Sequence, residues 1–98
     1  MKEASVRSVT IQFDTRIPAV YLYLRDPESF TSCKSRQIRP GVIVDLDAIG
    51  DPIGIELLGP QDLEAVLQQA IPAEHTEIIR QLDSKRKIIE SILSLAPV

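Results

Sequence analysis

The apolar residues of this chain change their period at Gly59-Pro60, and that change constrains the fold more than any other feature. Over residues 8–58 they alternate with polar residues in short runs separated by turn residues, the pattern of half-buried strands. Over residues 60–96 they recur at helical spacing. Strands gathered at one end of a chain and helices at the other predict an α+β fold, with a helix covering the apolar face of an antiparallel sheet. A length of 98 residues allows one domain, residues 1–98, with a modest core. Two Tyr, two Phe and no Trp leave that core to Ile, Leu and Val.

The first strand is expected over residues 8–14, with Val9, Ile11 and Phe13 on one face and Thr10, Gln12 and Asp14 on the other. Asp14 to Pro18 supplies a turn. Residues 19–25 form the second strand, where Val20, Leu22 and Leu24 alternate with Tyr21, Tyr23 and Arg25. Asp26-Pro27 ends it. Residues 30–39 read either as a loop or as a third, exposed strand. Pro40-Gly41 leads into a strand at 42–47, and 52–58 returns after the next turn. The result is an antiparallel sheet of four or five short strands, meander-like.

Asp45, Asp47, Asp51 and Glu56 crowd the last of these turns around Gly50. A calcium loop of the EF-hand kind needs oxygen ligands at positions one, three and five and a Glu at twelve, between two helices. Counting from Asp45, the fifth position is Ile49, and strand-like residues flank the segment. A hairpin explains more. Val42, Val44 and Leu46 share one face, as do Ile53, Ile55 and Leu57, and a one-residue slip would send one set into water. Ala48-Ile49-Gly50-Asp51 then forms the connection, with Gly50 suited to a left-handed backbone.

The same alternation places Thr10, Gln12, Tyr21, Tyr23, Asp45 and Glu56 on the polar face, with Gly54 between them. Glycine inside a strand marks a bulge, or a place where another backbone or a large ring lies close. Tyr21, Tyr23, Asp45 and Glu56 are the candidate catalytic residues, since phenols and carboxylates together can do acid/base work. The plainer account, which we prefer, is a solvated face with Tyr packed over Gly54. The sequence supplies no nucleophile, no metal-ligand histidines and no phosphate loop beside it.

Phe13-Asp14 followed by Val20-Tyr21-Leu22-Tyr23-Leu24 resembles the opening of the domain-of-unknown-function 2283 family. The run 42–58, with Asp45, Asp47, Gly50 and Gly54-Ile55-Glu56-Leu57-Leu58, resembles its second half. The resemblance spans about residues 8–60 and implies a small antiparallel sheet in a short prokaryotic protein, with no reaction attached. Pro18 stands where the family commonly has a second Asp, and Ala48-Ile49-Gly50-Asp51-Pro52 is less polar than its usual turn. The family does not require a helical tail.

Two helices are expected in that tail, at 60–70 and 73–95. Gly59-Pro60 opens the first, with Asp62 and Glu64 facing its positive end, and Pro72 stops it. The second has a broad apolar stripe interrupted at Lys85 and Arg86. Ile78, Leu82, Ile89, Ile92 and Leu93 on that stripe are the expected interface of a homodimer, a second copy being the economical partner for so small a chain. His75 reads as an exposed or capping residue in the first turn.

A net charge of −3 and scattered basic residues predict no nucleic-acid partner. The single cysteine, Cys33, rules out an internal disulfide and a cysteine-based zinc cluster, and reads as an incidental thiol. No signal-like or membrane-length apolar run is present, so a cytoplasmic protein without membrane contact or cofactor is expected. Among function classes, the preferred reading is a non-enzymatic protein-interaction module that self-associates through its C-terminal helix and presents its polar sheet face or edge. An antitoxin-like protein partner of a basic toxin and a small acid/base enzyme are the alternatives.

Overall fold

Alternating apolar residues become five strands: β1 (Thr10–Asp14), β2 (Ala19–Tyr23), β3 (Lys34–Arg39), β4 (Val42–Leu46) and β5 (Pro52–Leu58). Three helices follow, α1 (Leu63–Ala70), α2 (Thr76–Ser84) and α3 (Arg86–Leu93). The computed structural model describes residues 9–14, 16–26, 31 and 34–95. Ser8, Phe30 and Cys33 lie outside the described residues; the stretch at 30–39 is a strand from Lys34 on.

All strand pairs are antiparallel, and the order across the sheet is β1-β2-β5-β4-β3. Two hairpin-linked groups, β1-β2 and β3-β4-β5, thus meet along β2 and β5. The meander expectation holds inside each group and fails between them, because β5 rather than β3 takes the place beside β2.

Register keeps the apolar sets together. Val42 faces Leu57 and Val44 faces Ile55 across β4 and β5, and Leu22 faces Ile55 across β2 and β5. Leu46 pairs with Pro52 instead of Ile53, so β5 carries one extra residue near its start. Val20, Leu22, Val42, Val44, Ile55 and Leu57 are all at most 1% exposed. The helices bury them: Leu63, Val66 and Leu67 of α1, Ile78 and Leu82 of α2, and Ile89, Ile92 and Leu93 of α3 join the same core. α3 lies against β2.

The single helix expected at 73–95 is two. Lys85 leaves the helical path (φ −104°, ψ 8°), ending α2 and starting α3. Its N–H bonds back to Leu82 and its carbonyl accepts from Ile89. The stripe keeps helical spacing through the break, so periodicity cannot register it; the mark is the charged Lys85-Arg86 pair inside the stripe. Arg86 then faces a carboxylate on each helix, Glu64 (3.7 Å), Asp83 (3.4 Å) and Glu90 (3.6 Å). The first helix, expected from residue 60, begins at Leu63 because Asp62 caps it, accepting from the Ala65 N–H, as Ser, Thr, Asp or Asn commonly does at this position. No helix among the described residues is long and apolar enough to cross a membrane.

Candidate functional site

Pairing sets the polar face in rows. Ser35, Asp45, Gly54, Tyr23 and Thr10 lie side by side across β3, β4, β5, β2 and β1. Gln37, Ile43, Glu56, Tyr21 and Gln12 form the adjacent row. Tyr21 belongs to the second row, yet its hydroxyl donates to Asp45 Oδ2 in the first. The ring reaches it by lying over Gly54: a Cβ there would come within 2.6 Å of Tyr21 Cζ and overlap the hydroxyl. Only glycine leaves this diagonal open. Of the two accounts of Gly54 open from sequence, the close ring applies at that residue, and the extra residue of β5 sits just before it.

Ser35 Oγ donates to the other carboxylate oxygen of Asp45 at 2.5 Å. Tyr23 packs on Tyr21 with ring centroids 4.6 Å apart and donates to Gln12 Oε1 at 3.1 Å. Burial, then the hydrogen bond to Asp45 and the negative charge around it, holds the Tyr21 phenol far above its ordinary range. Tyr21 is therefore a neutral donor at physiological pH. Acid/base catalysis wants a group that exchanges its proton near working pH, and Tyr21 is held away from that range. Both oxygens of Asp45 already receive hydroxyl donors. Tyr21, Gly54, Asp45 and Ser35 thus tie together four adjacent strands, β2, β5, β4 and β3.

Of the four candidate catalytic residues, Tyr21 and Asp45 touch, Tyr23 rests on Tyr21, and Glu56 stands across from Tyr21 in register. Ser35 is the member that sequence reasoning missed. Its signal was its place two residues before Gln37 in a stretch that also read as a loop. The five residues expected at a self-association seam, Ile78, Leu82, Ile89, Ile92 and Leu93, are 1–8% exposed and lie in the chain's own core. His75 precedes α2 and makes no side-chain cap.

Asp47 has a different task from Asp45. Its Oδ1 accepts from the N–H groups of Asp51 (2.9 Å) and Ile49 (3.1 Å), and its Oδ2 binds Arg25 at 2.9 Å. Those donors, the Asp51 N–H foremost, hold the carboxyl below its usual range. Gly50 closes the turn at φ 92°, where L side chains are strained. The acidic stretch is a hairpin, and no three His, Cys, Asp or Glu side chains among the described residues converge as a metal site would need. A cleft of about 450 Å³ lies between α1 and α2, lined by Leu67, Ile71 and Ile79 and by Glu64, Asp83 and Arg86, whose charges pair with one another.

A family model matches residues 10–59, from the first residue of β1 to the one after β5. The chain belongs to the family described as protein of unknown function (DUF2283). The DUF2283 segment is the whole sheet and contains Tyr21, Tyr23, Ser35, Asp45, Gly54 and Glu56, while the three helices fall outside it. No curated protein and no solved structure matches the chain.

Proposed function

We propose that this chain is a non-enzymatic protein-interaction module that docks through the β1 edge of its sheet. The difference between the two sheet edges carries this reading. β3 bears Lys34, Arg36 and Arg39 and a register shift between Gln37 and Arg39, the charges and irregularity that keep an edge from pairing. β1, with the sequence TIQFD, has no cation, no proline and no register shift, and its one charge, Asp14, is already held by Arg16 at 3.0 Å. Phe13 and Ile17 beside it are 55% and 62% exposed. Two further features support the reading: the Tyr21 and Ser35 hydroxyls of the polar face are both taken by Asp45, and the apolar helix stripe is occupied by the chain's own core. Self-association through Ile78, Leu82, Ile89, Ile92 and Leu93 would require opening that core.

A photo-crosslinking amino acid placed at Phe13, and separately at Arg36, tests this in cells expressing the full chain. Protein adducts should form at position 13 and not at position 36. Adducts at neither position, or equally at both, would remove the β1 edge as the docking surface.

A further inference from the structure

The pairing pattern identifies which backbone groups of β1 face outward, and their arrangement is self-complementary. Leu24 N–H donates to Ile53 O at 3.0 Å, so Leu24 directs its hydrogen-bonding groups toward β5. Directions alternate along an antiparallel strand, so Leu22 and Val20 also face β5, while Tyr23, Tyr21 and Ala19 face β1. Their partners Thr10, Gln12 and Asp14 therefore turn their N–H and C=O groups inward to β2. Ile11 and Phe13 turn theirs to the open side, where they meet no backbone partner among the described residues. Val9 would be next in this outward set, but its N–H is taken by Gln81 Oε1 of α2 at 2.9 Å.

Resting on the reading of β1 as the docking edge, we infer that its occupant is β1 of a second copy, antiparallel and centred on Gln12. In this register Ile11 of one copy faces Phe13 of the other, and each pair exchanges two hydrogen bonds. All four outward groups of each chain are satisfied. Pairing Ile11 with itself would bring Phe13 opposite Val9, whose N–H is already engaged by Gln81. Pairing Phe13 with itself would push Ile11 past the end of β1. The Gln81 contact therefore selects the register. Side chains agree with it: a β-branched residue meets an aromatic one across strands, a favourable pair, and the exposed Phe13 ring gains a neighbour on the apolar side of the sheet. Thr10 faces Asp14, so no like charges oppose. The contact is isologous, closes as a two-fold dimer, and joins two five-stranded sheets into one.

Gln12 sits on the two-fold axis in a non-hydrogen-bonded pair, where Cα atoms approach to about 4.5 Å, within the span of a disulfide. Sedimentation velocity on the wild-type chain should give twice the 10.9 kDa monomer mass at high concentration. Phe13→Pro removes one outward N–H per chain without touching the β1-β2 ladder, and Phe13→Lys guards the edge with a charge while keeping that N–H. Both should stay folded by circular dichroism, and Phe13→Pro should dimerise roughly tenfold or more weakly, as the loss of two interchain hydrogen bonds implies. In a Cys33→Ser background, Gln12→Cys should crosslink two chains under mild oxidation and Asp14→Cys should not. A wild-type dimer that survives both Phe13 substitutions, or crosslinks as readily at 14 as at 12, overturns the inference. A chain that stays monomeric yet crosslinks another protein at position 13 in cells overturns the second copy and leaves the edge reading standing. A monomer without such adducts overturns both.

Discussion

Gly54 is tolerable in a central strand because Tyr21 occupies the volume its side chain would fill. A methyl group there would strike the ring at the hydroxyl end, and Tyr21 could yield only by releasing Asp45. Gly54→Ala should therefore lower stability by about 1–3 kcal/mol, the range for overpacking and for a lost partly buried hydrogen bond. The same substitution in a Tyr21→Ala background should change sign and raise stability by about 0.4–1 kcal/mol, because only the unfolded-chain entropy of glycine then remains to be removed. Urea unfolding of the four chains measures the coupling. Equal effects of Gly54→Ala in both backgrounds would show that the ring and the glycine do not share that space.

At the level of elements, the β4–β5 turn hangs on one carboxylate. Asp47 is held below its usual range in the folded state, so its contribution is complete above the unfolded value of about 3.9 and is lost as pH falls through the lower folded value. Asp47→Asn should lower the melting temperature by a constant amount between neutral pH and about pH 5, and the gap to wild type should close below about pH 3.9. A gap unchanged in acid would mean that the ion pair with Arg25 and the charged acceptor matter little. The helices supply a second test. Ile89 is 1% exposed where α3 meets the sheet. Ile89→Asp places a charge among apolar side chains, a loss of more than about 4 kcal/mol, comparable to the whole stability of a small domain. Circular dichroism should show an unfolded chain. A variant that stays folded but halves in mass would restore the helix to a seam between copies.

Across the whole molecule, the DUF2283 segment and the folding unit differ. The family match ends at residue 59, but the apolar face of the sheet is covered by residues beyond it. Val20, Leu22, Val42, Val44, Ile55 and Leu57, all nearly inaccessible, would be bared in a chain that stopped there. Each contributes roughly 1.5–3 kcal/mol by its burial, so the six together are comparable to the whole of the about 5–15 kcal/mol by which a domain is stable. A chain ending at Gly59 should aggregate or lose its cooperative melt, whereas the full chain should melt in one step. A truncated chain that melts cooperatively as a monomer would show that the sheet stands without its helices.

Local alternation determined four of the five strands, their faces and the hairpin at Gly50, because each depends on neighbours a few residues apart, and left the polar β3 open between strand and loop. It also marked Gly54 as a place of close approach. Residue spacing placed the stop of α1 before Pro72 for the same reason. It set the start at Pro60, three residues ahead of Leu63, where the cap made by the Asp62 side chain begins the helix. Strand order was decided only in three dimensions: parity says which face of β2 is apolar, and is silent on whether β3 or β5 lies beside it. The contact of Tyr21 with Asp45 joins residues 24 apart and exists only in that order. The break at Lys85 and the fate of the helix stripe followed the same logic. An apolar stripe must be covered, but its own residues do not say by what, and here the sheet of the same chain reached it first.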